Sequence, residues 1–417
     1  MSAGAPMVPD REGKPEASPP FESYGRLFLR FLRFGSLAWG GPVAQIDMIR
    51  EALVVREKWV TPGHFKRLLA IYQVLPGPEA HEMCVHFGML ARGRLGGVLA
   101  GLGFMLPGFV LMFLLSWVYL AFDLTATAFQ AVFLGLQPAV IALMVRACHR
   151  IGGHCLVDGS LWTVAILAGV GEWLGVSFWI TLPLAGVAYL AMARRRWLAA
   201  AVVGVVFGVA VGLFSPVVNA KWERPPANPS ASVPAPLDVR ETGRASAGQL
   251  FLSGLRAGSL TFGGAYTAIP FLKEDAVERG RWMTEHDFLD GVALSGVLPA
   301  PLIIFSTFVG FFGGGPWGAL AITLGVFLPA FSFTLLFHRH LVAVIDHPEL
   351  KHFLEGVTAA VVGLIGVTTV MLARAAIPSV ASLAIALAAL FVLYRWKSRF
   401  VVPAVVALAG ITGALVF

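Results

Sequence analysis

Long apolar segments dominate this chain, and most are close to the length of a membrane-spanning helix. They are separated by short stretches rich in Gly, Pro and charge, without the apolar–polar alternation of barrel strands. The pattern predicts two groups of six helical segments with one segment between the groups. The segments are 24–47, 66–91, 96–122, 128–148, 160–175 and 177–193; then 197–215; then 249–272, 288–312, 317–338, 353–375, 379–394 and 401–417.

The second group repeats the first. Residues 33–46 read RFGSLAWGGPVAQI and residues 256–269, which are 223 positions later, read RAGSLTFGGAYTAI. A repeat of this length indicates a duplicated domain rather than a solenoid. The predicted organisation is a disordered N-terminal tail, a first repeat, a connecting helix, a Pro-rich linker and a second repeat: 1–23, 24–193, 194–215, 216–248 and 249–417.

Loop charges indicate how the two repeats are oriented. The 91–97 loop carries Arg92 and Arg94 while its counterpart 313–316 carries no cation, and the 121–128 and 338–351 loops differ in the opposite sense. Cytoplasmic loops are enriched in Lys and Arg. The expected fold is therefore an all-α polytopic membrane protein, an inverted repeat of two six-segment halves joined by a connecting helix.

Two topologies remain open for this repeat. The basic loop 47–67 favours nine full crossings plus two pairs of re-entrant segments, with broken helices at the Gly- and Pro-rich motifs. Thirteen plain crossings are the alternative, and one loop then breaks the charge rule.

The composition agrees with a membrane protein and excludes other classes. The chain is 57% hydrophobic and 13% charged, whereas a soluble domain carries about 25% charged residues. The net charge of +7 lies mainly at segment ends, so it reports topology and no nucleic-acid partner is expected. Three cysteines show no metal-ligand spacing, and no cofactor or metal is expected.

The repeated motifs resemble those of the chromate ion transporter family in its long, two-domain form. The resemblance rests on W-G-G-P at 39–42, F-G-G at 262–264, L-P-G-P at 75–78 and L-P-A-P at 298–301. It implies a bacterial inner-membrane protein that exports chromate, driven by the proton or another ion gradient. The chain departs from the family pattern at Trp39, Gln45 and Ala300.

Chromate and sulfate are tetrahedral dianions, and a buried dianion needs fixed hydrogen-bond donors in place of water. Helix N-termini supply such donors, because their first N–H groups are unpaired and the helix dipole is positive there. Breaks at matching places in two halves predict helix starts that face a common site. The predicted substrate-binding residues at these breaks are Gly40, Gly41, Pro42, Pro76, Gly77, Pro78, Gly263, Gly264, Pro299, Ala300 and Pro301. Close helix packing through small residues is the alternative explanation.

Three further residues complete the predicted binding set. Ser36 and Ser259 precede the glycine pairs, and their hydroxyls either donate to the anion or bond back to a helix carbonyl. Arg256 is the single cation of its segment, and a guanidinium matches the geometry of an oxyanion. Arg33 fits snorkelling to the membrane interface better.

An ionisable cluster follows the first P-G-P motif. It consists of Glu79, His81, Glu82 and His86, whereas the second half has apolar residues at the equivalent places. Ionisable groups within a membrane segment commonly mark ion or proton pathways, so proton coupling or gating is expected here. A self-contained structural cluster and a metal site are the alternatives.

Three functional hypotheses follow. The leading one is a secondary active transporter exporting chromate or a similar tetrahedral oxyanion. The second is a transporter of sulfate or another anion. The third is a membrane-embedded metal-binding protein or enzyme that uses Glu79, His81, Glu82 and His86. The expected partners are a chromate- or sulfate-like oxyanion and membrane lipid, with a homodimer left open.

Overall fold

The computed structural model describes residues 21–73, 75–122, 127–196, 198, 202–208, 245–262, 264–337, 347–396, 398 and 400–417. Fourteen α-helices are bounded within these ranges. In the first half they are α1 Tyr24–Ser36, α2 Gly41–Ile49, α3 Pro62–Tyr72, α4 Glu79–Ala121, α5 Thr127–Cys155, α6 Gly159–Trp173 and α7 Phe178–Ala193. In the second half they are α8 Ala247–Ser259, α9 Ala268–Lys273, α10 Glu285–Gly296, α11 Phe305–Phe337, α12 Pro348–Ala376, α13 Val380–Arg395 and α14 Val401–Val416.

Short helical turns of other types join some of these helices. A π-helical stretch, Arg50–Arg56, continues α2, and a second one, Glu274–Arg279, continues α9. Turns of 3-10 helix at Ala265–Thr267 and Leu302–Ile304 precede α9 and α11. Residues 47–67, which the sequence predicts to be a loop, are therefore largely helical. That prediction was wrong, because charged residues on an exposed helical face look like loop residues in the sequence.

Local sequence explains where several helices begin, and the same capping residues recur in both halves. Ser23 caps α1 and Ser246 caps α8, and each side chain accepts a hydrogen bond from a backbone N–H of the first turn. Thr61 and Thr284 cap α3 and α10 in the same way. Such caps each stabilise a helix by about 1 kcal/mol.

The two longest helices are broken at equivalent points. The backbone leaves helical geometry at Arg92 and Gly93 in α4, and at Gly314 and Gly315 in α11. Segments 66–91 and 96–122 are predicted as separate helices, and this break lies in the loop expected between them.

In the core, helices of each half pack on a long helix of the other half. α1 packs on α4 as α8 packs on α11, so the two halves repeat this pairing, and α4 also packs on α11. By contrast, α6 and α7 pack on α12, while α13 and α14 pack on α5. Glycines allow these close approaches, since an added Cβ would overlap the backbone of Ala409 at Gly135 and approach that of Ala185 at Gly356. The element order thus repeats, and the two halves share one interface.

Four helices in the described ranges are long and apolar enough to cross a membrane. They comprise Glu79–Ala121, Phe129–Cys155, Leu302–Leu336 and Pro348–Ala376. The all-α, multi-segment character is therefore confirmed, whereas inversion and re-entrance stay predictions. Residues 202–208 of the predicted connecting helix are helical. The predicted linker up to residue 244 and the tail up to residue 20 lie outside the described residues.

Candidate anion-binding site

The first glycine motif interrupts a predicted apolar segment. α1 ends at Ser36 and α2 begins at Gly41, with Gly40 and Gly41 at φ of 92° and 79°. Residues with a Cβ rarely adopt this left-handed region, which explains the glycines. Pro42 occupies the first turn of α2, where its missing N–H costs no helical hydrogen bond. The predicted helix break is therefore present, and it leaves a free helix start.

The start of α2 opens onto a partly open cavity of about 60 Å³. A single water needs roughly 10–15 Å³ by this kind of measure, so the cavity has room for a small ion. Its lining brings together distant parts of the chain: Gly40, Gly41, Pro42, Leu143, Arg146, Ala147, Arg150, Tyr266, Ser398, Val401 and Val402. The second glycine break contributes through Tyr266, two residues after Gly264.

Arg146 and Arg150 give the cavity a positive charge. They lie one turn apart on α5, and their like charges repel each other. Within the described ranges neither guanidinium forms an ion pair or donates a hydrogen bond. Two unpaired cations beside a helix N-terminus form a strongly electropositive site.

The P-G-P motif joins this region to the second half. α3 ends at Tyr72 and α4 begins at Glu79, so the motif is again a helix break. The Gly77 N–H donates to the Thr261 carbonyl oxygen at 2.8 Å, just before the second glycine motif. Glu79, the first residue of α4, lies within electrostatic range of Arg150. The first glycine break and Tyr266 therefore line the cavity with the arginine pair, and the P-G-P break is connected to this region through Gly77 and Glu79.

The fourth break, Pro299-Ala300-Pro301, is buried against α4. A Cβ added at Gly108 would overlap the Ala300 side chain. At the equivalent contact, a Cβ added at Gly77 would lie 3.2 Å from the Ala330 Cβ on α11. Each P-x-P motif thus packs on the long helix of the opposite half. One methyl group occupies each contact, on the motif in one case and on the helix in the other.

The remaining predicted binding residues have other contacts. The Ser36 hydroxyl donates back to the Leu32 carbonyl oxygen at 2.9 Å, which is the structural alternative considered for it. Arg256 is ion-paired with Asp275 and lies over the Trp179 ring, so its charge is already matched. Ser259 is half-buried, Gly264 has a φ of 121°, and Gly263 lies outside the described residues.

The ionisable residues of α4 do not form one compact group. His86 Nδ1 is 2.9 Å from the Tyr72 hydroxyl, and His81 packs between the Phe327 and Phe331 rings of α11. Glu82 is 0% exposed, and neither carboxylate oxygen has a hydrogen-bond partner among the described residues. The described part of the chain holds no group of three His, Cys, Asp or Glu residues placed to bind a metal.

Comparison with known proteins shows the family of this chain. A family model described as Chromate transporter matches residues 25–212 and 248–414. The chain belongs to the chromate transporter family. A chromate transport protein of Pseudomonas aeruginosa is 55% identical over 406 residues, covering 96% of this chain and 94% of that protein. A chromate transport protein of Cupriavidus metallidurans is 28% identical over 423 residues, covering 99% and 98%. No solved structure matches the chain.

Membership of the chromate transporter family makes this chain a multi-pass membrane transport protein rather than an enzyme. Two residues of the candidate site, Arg146 and Arg150, were not predicted from the sequence. Arg146 and Arg150 resemble ordinary cations at a segment end, but the equivalent positions of the second half hold Val367 and Met371. Two cations one helical turn apart, present in the first half and not at the equivalent positions of the second, were the feature of the sequence that could have identified them.

Proposed function

We propose that this chain exports chromate, or a tetrahedral oxyanion of the same class, as a secondary transporter that binds the anion between α2 and α5. The observation that carries the proposal is the pair of unpaired arginines facing the start of α2 across a 60 Å³ cavity. Arg146 and Arg150 would neutralise the dianion, and the first N–H groups of α2 would donate hydrogen bonds to its oxygens.

Glu79 suits a gating role at this site. It lies within electrostatic range of Arg150 but forms no ion pair with it in the described residues. An anion in the cavity competes with Glu79 for the Arg150 charge, so binding and release would shift Arg150 between two partners. Gating of this kind links occupancy of the site to the position of the start of α4 relative to Arg150 on α5.

Glu82 suits proton coupling. Its carboxyl group is fully buried near Gly77, and ionisation without a hydrogen-bond donor is costly there. Tyr72 lies within electrostatic range of Glu82, and its hydroxyl is 2.9 Å from His86 Nδ1, so Tyr72 connects Glu82 electrostatically with His86. Glu82 would carry a proton in exchange for the anion, and this exchange would drive export of the anion.

The test of the binding site is chromate affinity of the full-length protein. We expect Arg146→Gln and Arg150→Gln each to weaken chromate binding about 10- to 100-fold, because a hydrogen bond to a charged group contributes about 1.5–3 kcal/mol. Calorimetric titration of the purified protein gives the Kd. The matched control is Arg33→Gln, which removes an exposed cation from α1 and should leave the Kd unchanged.

Sulfate in the same titration distinguishes the two oxyanions. Equal competition by sulfate would assign the site to tetrahedral dianions in general. Flux in proteoliposomes, with and without a pH gradient, tests direction and coupling. Unchanged chromate affinity in both arginine variants would contradict the proposed site.

A further inference from the structure

A second polar network lies outside the anion site, at the contact of α4, α5 and α10. Asp290 on α10 is 5% exposed. Its Oδ2 accepts a hydrogen bond from the Tyr119 hydroxyl at 2.8 Å, and its Oδ1 accepts one from Gln137 Nε2 at 2.8 Å. Tyr119 and Gln137 belong to the first half, so this network joins the two halves. The equivalent of Asp290 in the first half is Arg67.

Among the described residues, no positive charge compensates Asp290. Its hydrogen-bond donors, Tyr119 from α4 and Gln137 from α5, are both neutral, and the other charged group acting on it is Asp287 of its own helix. His286 contacts Gln137 and not Asp290 itself: its Nδ1 lies 3.2 Å from Gln137 Oε1. The other elements packed on α10 supply no charged partner to Asp290 within the described ranges. Burying a carboxylate with neutral donors alone is costly, and such groups in membrane proteins commonly take part in proton transfer.

The Tyr119 hydroxyl connects Asp290 to a second carboxylate. Its oxygen lies 3.3 Å from Asp287 Oδ1 as well as 2.8 Å from Asp290 Oδ2. Asp287 is half-buried, caps the start of α10 through Thr284, and adjoins the exposed His286. The Tyr119 hydroxyl therefore lies between the half-buried carboxylate of Asp287 and the buried carboxylate of Asp290.

We propose that Asp290 is a proton-binding site that is filled and emptied through Tyr119 from Asp287. A proton on Asp287 Oδ1 passes to the Tyr119 oxygen while the Tyr119 hydroxyl proton passes to Asp290 Oδ2. Tyr119 ends neutral, and the charge of Asp290 moves to Asp287. Release of the proton reverses both transfers.

Protonation changes the contact between the halves. The Asp290 carboxyl then donates to Tyr119 instead of accepting from it, and the hydroxyl turns to Asp287. One proton thus reverses the direction of the hydrogen bond between Asp290 and Tyr119, while the Gln137 Nε2 bond to Asp290 Oδ1 is unchanged. The role of this proton in coupling transport rests on the proposed function, whereas the proton transfer itself does not.

The transfer can be measured without chromate. Infrared difference spectra of the full-length protein in lipid vesicles, recorded after a pH jump, should show a carboxyl C=O band that is lost in Asp290→Asn. Asp158→Asn is the matched control: Tyr189 donates to Asp158 at 2.9 Å, but Asp158 is exposed, so the band should persist. Tyr119→Phe should keep the band and slow its appearance by at least about ten-fold.

Each outcome decides the proposal. A carboxyl band that survives in Asp290→Asn, or an unchanged rate in Tyr119→Phe, overturns it. If Asp290→Asn does not fold, the rate in Tyr119→Phe decides. Chromate flux that responds to a pH gradient in the wild type but not in Asp290→Asn would add the coupling role. Failure of the arginine variants to lose chromate affinity would contradict the proposed function and leave this proton site standing.

Discussion

Two glycines in the first repeat carry a backbone conformation that other residues adopt only with strain. Gly40 and Gly41 lie at φ of 92° and 79°, and a Cβ at Gly41 would meet nothing within 4 Å. The glycine is therefore required by its backbone rather than by lack of space. Gly35, a few residues earlier, is the opposite case, because a Cβ there would overlap the Phe104 carbonyl group. Close helix packing therefore accounts for Gly35, whereas a left-handed backbone accounts for Gly41.

Gly41→Ala tests the backbone explanation. The left-handed conformation costs a residue with a Cβ about 1–2 kcal/mol, so the variant should unfold at a lower temperature and bind chromate more weakly. Gly153→Ala is the control, since Gly153 on α5 also has open space but an ordinary helical backbone. Alanine there should be neutral or slightly stabilising. Thermal unfolding in detergent measures both, and equal Tm values for the two variants would remove the backbone argument.

At the scale of elements, the P-x-P motifs act as fitted contacts between the halves. Ala300 packs on Gly108 of α4, and Gly77 packs near Ala330 of α11. The alanine at 300, which departs from the family motif, is therefore matched by a glycine on the helix that it touches. The methyl group of Ala300 is thus accommodated by Gly108 on α4.

A double-mutant cycle tests this contact. Gly108→Ala should destabilise the protein by about 1–3 kcal/mol through overpacking, and adding Ala300→Gly should recover at least about 1 kcal/mol of that loss. Unfolding in denaturant or by heat measures both. The reverse exchange at Gly77 and Ala330 should recover less, because a Cβ at Gly77 would also lie 2.9 Å from Glu82 Oε1. Additive effects of Gly108→Ala and Ala300→Gly would refute the fitted contact.

The whole molecule is held together by exchanged helices. α6 and α7 of the first half pack on α12 of the second, and α13 and α14 of the second half pack on α5 of the first. Separating the halves would expose apolar helix faces on α5 and α12 that are buried in the intact chain. Neither half therefore has a complete core of its own.

Cutting the chain in the predicted linker 216–248 tests this dependence. The two halves expressed together should copurify and bind chromate, because the contacts between them do not need the covalent link. Each half expressed alone should aggregate or unfold at a much lower temperature. Size-exclusion chromatography and thermal unfolding measure these outcomes, and a folded single half would contradict the exchange.

The sequence by itself determined the local features of this protein. Apolar length predicted α5 and α12 and the two parts of α4 and of α11 as separate segments, and the 223-residue repeat predicted that helices such as α1 and α8 would correspond. The breaks at Gly40-Gly41 and Pro76-Gly77-Pro78 were also predictable. Helical length, caps and backbone sterics depend on neighbouring residues, so they can be read from a single chain.

Only the tertiary structure decided which residues meet. Arg146 and Arg150 become an anion-site candidate because the packing of α5 places them at the start of α2, about a hundred residues earlier in the chain. Asp290 acquires its partner Tyr119 across 171 residues. Arg256, which the sequence favoured for the anion, is instead paired with Asp275. Spacing along a chain carries no information about which distant charges burial brings together, and the exchange of helices between the halves made that choice here.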